Sequence, residues 1–328
     1  MDNLRSTFVS RILSNIPPRV KPIDYLMEAL DISRESVYRR IRGDISFTLE
    51  EIAKLSVELG FSIDELILKD MHSRMFFDLH TTPEQDPSEV FVTMFQMYFQ
   101  GIFDVLHIKD VESTMALNHI PFGIVIFSNH LLKFSYYRWM HHNNHETSLK
   151  YFYSDVTLPE KITHLQYEAM ENLKKIRSNT IIFGPDVFLN LIREIQYYYK
   201  RKLINENEFL LLRDDLSKLV DLVESIAQFG FFGSDAKYNL YLSSLNLESS
   251  SRFIRCGERV KSQFFVNSIE PLTNNNPLLC TIHKKWLDSM RKYATLITQS
   301  NEILQVRYFN KQRSHIKEIT DTVNNISF

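Results

Sequence analysis

The scarcity of glycine is the feature that most limits the folds open to this chain. Only 8 of its 328 residues are glycine, whereas glycine makes up about 7% of an average protein. Glycine supplies left-handed backbone conformations and lets a backbone approach a phosphate closely, so loops that cradle nucleotides depend on it. Neither G-x-G-x-x-G nor G-x-x-x-x-G-K-[ST] occurs in the sequence. The sequence therefore disfavours Rossmann dinucleotide-binding and P-loop nucleotide-hydrolysing proteins.

Length and composition indicate a cytoplasmic protein of about two domains. The apolar fraction of 44% is ordinary, and two cysteines, Cys256 and Cys280, suit a reducing compartment. The N-terminal segment has no apolar core of the kind that a signal peptide needs. The longest strongly apolar stretch, Ile120 to Phe127, is too short to span a bilayer. The net charge of −2 means that any signal for nucleic-acid binding must be local.

The first seventy residues have the pattern of five short helices. Ser33 is a typical N-cap for the third helix, and Gly43 follows that helix where a left-handed cap belongs. Thr48 and Glu51 form a capping-box pattern for the fourth helix, which ends at Gly60. The predicted helices are a segment over Leu4–Leu13, Pro22–Leu30, the helix from Ser33 to Arg42, the helix from Thr48, and a short last helix from Ser62.

The rest of the chain predicts a linker over residues 71–85 and then a larger domain, 86–328. Helices are expected at 86–106, Leu131–His142, Pro159–Arg177, Asp186–Arg201, Glu206–Phe229 and Leu278–Thr298. Strands are expected at Asn239–Leu247, Arg252–Cys256, Gln263–Ile269 and Ile303–Phe309. The predicted fold class is an N-terminal all-α five-helix helix-turn-helix domain, residues 1–70, plus a helix-dominated C-terminal domain with a small sheet (α+β).

The segment from Pro22 to Gly43 combines several signals of a helix-turn-helix. Such a motif needs a short turn, a buried stripe on its second helix and a polar opposite face that can enter the major groove. Val37 and Ile41 fall on one side of the third helix, and they are expected to pack on apolar residues of the helices on either side: Leu26, Leu30 and Ile52. Glu35, Tyr38, Arg39 and Arg42 fall on the opposite side, flanked by Arg34 and Arg40. Between Arg34 and Arg42 there are four arginines and one glutamate, a local charge of +3.

These residues resemble the lambda-repressor-like (Cro/Xre) helix-turn-helix family. The matching segments are Ile32 to Gly43, Thr48 to Ala53 and Leu59 to Leu66, in that order, and the resemblance covers about residues 1–70. It implies a five-helix DNA-binding domain and a transcriptional regulator that is commonly dimeric. By position it places Arg34, Glu35, Tyr38 and Arg39 against bases and Arg42 against a phosphate. Lys21 and Arg40 are two further basic residues that we predict to contact phosphates.

Two features differ from the family pattern. Ile23 occupies the position near the start of the second helix where the family usually has glutamine. Residues 1–70 contain ten Lys or Arg and twelve Asp or Glu, a net charge of −2. The main hypothesis is a sequence-specific regulator that binds double-stranded DNA as a homodimer and needs no cofactor. Its larger domain supplies dimerisation and could also sense a small-molecule effector. A protein-interaction adaptor is one alternative, and an enzyme or ligand-binding domain with a helix-turn-helix targeting module is another.

No residue of the sequence stands out as catalytic or metal-ligating, so we predict no enzyme activity, no metal and no cofactor. His141 and His145 have a spacing that metals can use, but the asparagines between them favour a polar helix end. Cys280 and His283 could form a nucleophile pair, although the apolar surroundings of Cys280 favour a small core residue.

Two apolar patterns in the larger domain have alternative interpretations. Between Phe209 and Ile226 a short heptad-like seam could pair two subunits, but the width of the apolar face favours a buried core helix. The aromatic segments Phe91–Phe103 and Phe134–Trp139 could line an effector pocket, but aromatic residues at helical spacing more often belong to the core. We favour the core in both cases.

Overall fold

The computed structural model divides the chain into two compact units, Met1–Phe77 and Asp78–Phe328. The structure describes residues 2–17, 20–63, 66, 77, 86–103, 106, 108, 110–143, 151–175, 178–233, 236–266 and 269–324. The predicted linker, residues 71–85, lies outside the described residues except for Phe77. The predicted boundaries at 70 and 86 therefore stay predictions.

All the regular secondary structure that is described in the first unit is helical. Its helices are α1 (Asp2–Asn15), α2 (Pro22–Leu30), α3 (Arg34–Arg42) and α4 (Leu49–Glu58). Five apolar side chains from the four helices share one buried core: Phe8, Ile12, Leu26, Val37 and Leu55. The predicted last helix, from Ser62, lies largely outside the described residues, so the five-helix arrangement stays a prediction.

The second unit combines helices with a mixed sheet, as the predicted α+β class requires. Its helices are α5 (Pro87–Phe103), α6 (Phe122–Val125), α7 (Asn129–Asn143), α8 (Glu160–Leu173), α9 (Val187–Lys200), α10 (Glu206–Phe229), α11 (Pro277–Lys292) and α12 (Glu302–Asn324). Its strands are β1 (Val111–Leu117), β2 (Ser178–Phe183), β3 (Phe231–Phe232), β4 (Ala236–Ser243), β5 (Ser251–Cys256), β6 (Arg259–Phe265), β7 (Pro271–Asn274) and β8 (Ala294–Leu296).

The strand order in the sheet is β3-β4-β2-β1-β5-β6-β7, with β8 paired to β4. The neighbours β4, β2 and β1 run parallel, and every other pairing is antiparallel. In the register of β1 and β2, Leu117 lies opposite Phe183. The two strands therefore end together at one edge of the sheet, the edge where open parallel sheets commonly bind ligands.

Side chains alternate between the two faces of the sheet, as the period of a strand requires. On one face, Leu117, Ile181 and Leu240 join the main core, which the helices α5 to α10 and α12 also form. On the other face, Ala116 and Ile182 share a smaller core with side chains of α11. The sheet is thus covered on both sides, as parallel strands generally are.

The sequence analysis missed two central strands. β1 and β2 pair with each other, and β1 also pairs with β5. Their sequences, VESTMAL and SNTIIF, place buried polar residues such as Ser113 and Asn179 on the side of the main core. Because polar side chains interrupt the apolar alternation, neither segment has the usual pattern of a strand.

The predicted strand Ile303–Phe309 is wrong, because this segment is part of α12. The buried positions are Gln305, Tyr308, Phe309, Gln312 and Ile316, which are spaced as on one face of a helix, whereas Ile303 is 75% exposed. Two of these buried residues are glutamines, so apolar residues alone could not reveal the helical period. The predicted helix Leu278–Thr298 likewise ends earlier, at Lys292, and β8 follows it.

Candidate nucleic-acid interface

The α2–α3 pair is joined by a three-residue turn. α2 ends at Leu30, and Asp31 adopts a left-handed conformation with φ of 53°. Ser33 begins the next helix, since its side chain accepts a hydrogen bond from the backbone N–H of Ser36 at 3.3 Å. Gly43 ends α3 with φ of 89°, a conformation that a side chain would disfavour. The predicted caps at both ends of α3 are confirmed.

The inner face of α3 packs as the helical spacing predicts. Val37 is 1% exposed, and it lies in the same apolar cluster as the half-buried Ile41. The predicted neighbours, Leu26, Leu30 and Ile52, belong to this cluster as well. Packing of this stripe therefore fixes which face of α3 is directed outward.

Most of the predicted DNA-contacting residues lie together on the outward face of α3. All of the base-reading candidates and two of the three phosphate-binding candidates are exposed: Arg34, Glu35, Tyr38 and Arg39, with Lys21 and Arg42. The Tyr38 side chain is 44% exposed, although an aromatic ring gains stability from burial. These side chains form a polar surface, mostly basic, with an aromatic ring near its centre.

The exposed arginines differ in the ion pairs that they form. Arg34 donates to Asp24 Oδ1 at 2.7 Å, and Arg42 lies 3.4 Å from Asp44 Oδ2. Both pairs are exposed, so each contributes little to stability, and a phosphate can replace the carboxylate at small cost. Within the described part of the chain, Arg39 forms no ion pair. Arg39 is therefore the arginine on this surface that is most available to a ligand.

Arg40, the third predicted phosphate-binding residue, is the only one of the three that is not exposed. Its Nε and Nη2 atoms donate to the two carboxylate oxygens of Glu51 at 2.9 and 2.7 Å. Both side chains are largely shielded, with exposed fractions of 13% and 15%. The charge of Arg40 is directed to Glu51 and joins α3 to the start of α4, while its predicted contact with a phosphate stays a prediction.

Glu51 is held by two elements at once. Its Oε2 atom also accepts from the backbone N–H of Thr48 at 3.0 Å, which completes the predicted capping box. Burial acts to raise the pKa of Glu51, but the hydrogen bonds from Arg40 and Thr48 outweigh this and lower it. The carboxylate is therefore ionised at neutral pH and anchors α3.

We expect Arg40→Met to destabilise the first unit by about 2 kcal/mol, between the values for exposed and fully buried pairs. The substitution leaves the Glu51 carboxylate shielded and without its cation. Hydrogen exchange of the α3 and α4 amides in the full-length protein measures this loss. Arg42→Met, which removes the same charge from an exposed pair, should change the stability of the first unit by less than about 0.5 kcal/mol. Equal effects of the two substitutions would contradict the anchoring role.

Arg5 of α1 contacts the C-terminal end of α3, and the sequence did not predict this contact. Its Nη1 atom donates to the backbone carbonyl of Gly43 at 2.7 Å, so that α1 supports the C-terminal end of α3. A cation near that end also interacts favourably with the helix dipole. No local sequence signal marks this contact, because the two residues are 38 positions apart.

The two residue pairs that could have been catalytic or metal-binding are Cys280 with His283 and His141 with His145. Cys280 is buried, and its thiol donates to the backbone carbonyl of Asn274 at 3.6 Å. His283 contacts two serine hydroxyls, those of Ser262 and Ser251. α7 ends at Asn143, while His145 lies outside the described residues. The predicted core role of Cys280 is confirmed.

The heptad-like seam of α10 is buried within the chain itself. Its six apolar positions are all at most 4% exposed: Phe209, Leu212, Leu216, Leu219, Val223 and Ile226. This confirms the interpretation as a core helix. The aromatic segments are also largely core, because Phe122 contacts Phe91 and Phe95 edge to face with centroids 6.3 and 5.7 Å apart.

A cavity of about 740 Å³ lies at the edge of the sheet where β1 and β2 end. Phe91 and Trp139 border it, so both predicted aromatic segments reach its wall. Its polar side contains a network in which Ser250 Oγ donates to Asn118 Oδ1 at 2.7 Å and lies 2.8 Å from His119 Nδ1. Burial, and secondly the positive charge of Arg138, lower the pKa of His119 to about 4. The imidazole is therefore neutral at pH 7 and available as a hydrogen-bonding group.

Comparison with protein-family models, with curated proteins and with solved structures gave no match to this chain. Within the described ranges, no helix has both the length and the apolar character needed to cross a bilayer. Among the same residues, no group of three or more His, Cys, Asp or Glu side chains is placed to hold a metal ion.

Proposed function

We propose that the protein is a sequence-specific DNA-binding transcriptional regulator of the cytoplasm. The observation that carries this proposal is the outward face of α3, where Arg34, Glu35, Tyr38 and Arg39 are exposed together. Arginine side chains can bind guanine through two hydrogen bonds, and a glutamate can accept one from cytosine. The buried stripe of Val37 and the anchored Arg40 hold this face in one orientation, as a base-reading helix requires.

The net charge of the first seventy residues limits how such a domain can bind. Phosphate neutralisation supplies much of the affinity of protein–DNA complexes, and here two exposed arginines already have carboxylate partners. A single copy would therefore bind weakly. A homodimer places two recognition helices about 34 Å apart, one turn of DNA, and doubles the contacts. We propose that the second unit supplies this dimerisation.

The second unit also provides a candidate site for effector sensing. Its cavity of about 740 Å³ falls within the range of about 300–1,000 Å³ that is typical of small-molecule sites. Aromatic side chains form one wall, and the Asn118–His119–Ser250 network offers oriented polar groups. We propose that a small molecule bound in this cavity regulates DNA binding.

Selection of bound sequences from random duplex DNA, with the full-length protein, tests the function. We expect enrichment of a two-fold symmetric site with half-sites about one DNA turn apart. Binding should weaken steeply as salt increases, because counterions are released from DNA. If no sequence is enriched, the proposed function is wrong.

We expect Arg39→Ala to weaken binding to the selected site by about 1–3 kcal/mol and to relax the preference at one base pair of each half-site. The loss follows from the availability of the Arg39 side chain on the outward face of α3. A titration by fluorescence anisotropy measures it. Lys54→Ala removes the same charge from the exposed side of α4 and should leave the affinity nearly unchanged. Equal losses would indicate general charge attraction rather than base recognition.

A protein-interaction adaptor is the second candidate, and one observation favours it. Leu49 and Val57 are 73% and 82% exposed, and with the exposed Ala53 they form an apolar stripe along α4. Exposed apolar stripes of this kind commonly contact another protein. A stable hetero-complex in pull-down, together with DNA binding that is weak and independent of sequence, would support the adaptor over the regulator.

A further inference from the structure

Arg252 is a buried cation on β5 without an acidic partner. Its side chain is 7% exposed, and its Nε atom donates to Ser113 Oγ at 3.2 Å. Among the described residues, no Asp or Glu forms an ion pair with it. Burial lowers the pKa of the guanidinium, although arginine remains charged at neutral pH. A buried charge without a counterion is costly to a folded protein, so its retention here points to an anion from solution.

Asn179 is a second buried polar group with an unmet interaction, and it lines the same cavity as Arg252. It lies on β2, is 2% exposed, and neither its amide oxygen nor its amide nitrogen has a hydrogen-bond partner among the described residues. Buried amides in folded proteins are almost always hydrogen-bonded. Asn179 and Arg252 both line one cavity between the sheet and the helices α5 and α10. A cation without a counterion and an amide without a hydrogen-bond partner therefore line the same cavity.

Two tyrosines complete the polar part of the cavity, but they do not neutralise Arg252. Burial raises the pKa of Tyr238 to about 12, although the nearby Arg252 acts in the opposite direction. Burial likewise raises the pKa of Tyr98. Both phenols are therefore protonated at pH 7, and their hydroxyl groups can hydrogen-bond to an anion. The charge of Arg252 is left to be balanced by a ligand.

The size and walls of the cavity limit the ligand. Its volume of about 50 Å³ has room for about three or four water molecules, which corresponds to a similar number of heavy atoms. Apart from the polar groups and Gly123, the walls are apolar side chains of the sheet and of the surrounding helices, such as Met115, Ile181 and Val223. Such walls suit a short hydrocarbon group, whereas a dianion would exceed the single charge of Arg252.

We propose that this cavity binds a small monocarboxylate of two or three carbons. The fork of the Arg252 guanidinium matches the two oxygens of a carboxylate. The Asn179 amide and the tyrosine hydroxyls supply further hydrogen bonds, and the alkyl group occupies the apolar remainder. This site is distinct from the larger cavity beside Ser250, and the proposal does not depend on whether the first unit binds DNA.

Titration of the full-length protein with sodium acetate tests the proposal. Sodium chloride is exchanged for acetate at constant ionic strength, and binding is followed by calorimetry and by the line width of carboxyl-labelled acetate in ¹³C NMR. We expect saturable binding with one site per chain and a rise in the melting temperature. Arg252→Met should weaken binding at least about tenfold. Asn179→Leu, which keeps the volume of the side chain, should weaken it by a smaller factor.

Arg255→Met is the matched control, because Arg255 lies on the same strand but pairs with Asp110 and Glu112. It should retain the acetate affinity of the unsubstituted protein. Acetate and propionate should bind more tightly than octanoate, because the cavity is small. The proposal is overturned if acetate does not bind, if chloride competes equally, if octanoate is preferred, or if Asn179→Leu and Arg252→Met bind as the unsubstituted protein does. If Arg252→Met does not fold, Asn179→Leu and the relative affinities of acetate, propionate and octanoate still decide the outcome.

Discussion

Lowering the pH from 7 to 5 should reduce the free energy of unfolding of the second unit by about 4 kcal/mol, about 2 kcal/mol from each of two histidines. Burial lowers the pKa of His283 to about 4, and His119 has a pKa near the same value. The ordinary pKa of histidine is about 6.5, so the unfolded chain takes up protons that the folded chain excludes. This stability is fully present above pH 6.5 and is lost as the pH falls towards 4.

Urea unfolding at a series of pH values measures this dependence. The chain has two tryptophans, Trp139 and Trp286, and both lie in the second unit, so their fluorescence follows that unit alone. His283→Gln should remove about half of the difference between pH 7 and 5. His164→Gln, at an exposed position, should leave the difference intact. A free energy of unfolding that is the same at both pH values would show that the two imidazoles are not held neutral.

Phe122→Ala should destabilise the second unit by about 3–5 kcal/mol, the range found when a fully buried phenylalanine is truncated. The ring is 1% exposed and contacts four other aromatic rings, those of Phe91, Phe95, Tyr98 and Phe99. Three of these contacts, those with Phe91, Phe95 and Tyr98, are edge to face, a geometry that adds to the stability gained by burial. Urea unfolding followed by tryptophan fluorescence measures the loss.

Phe229→Ala is the comparison, because that ring is 63% exposed at the end of α10. Its truncation should change stability by no more than about 0.5 kcal/mol. A loss below about 1 kcal/mol for Phe122→Ala would mean that its ring packs loosely. In that case the aromatic segments would line a binding site instead of forming the core.

Sequence patterns predicted local structure better than long-range structure. The cap at Ser33, the capping box of Thr48 and the helix Glu206–Phe229 are determined by residues within one or two turns of each other. β1 was missed because its buried polar residues, Ser113 and Thr114, interrupt the apolar alternation, and its pairing with the distant β5 is not visible in a short window. α12 was taken in part for a strand because Gln305 and Gln312, which are buried, do not count as apolar positions.

At the candidate interface, too, local features were predictable from the sequence and contacts between helices were not. The exposure of Glu35, Tyr38 and Arg39 follows from the helical period, once Val37 is placed inside. The ion pair of Arg40 with Glu51 depends on the angle between α3 and α4, which no pattern within either helix determines. The arginines of α3 look alike in sequence, and only their neighbours in space distinguish an anchoring cation from an available one.

The order of the strands has a consequence for the synthesis of the chain. Thr114 of β1 lies opposite Phe253 of β5, 139 residues later, and a ribosome adds about 5–20 residues per second, so β1 waits about 7–28 s for this neighbour. The helices of the first unit are complete before β1 is made, and helical domains with local contacts fold within milliseconds. The α3 surface can therefore form while the central strand of the sheet still has an open edge. During that interval the nascent second unit is the part of the chain most in need of a chaperone.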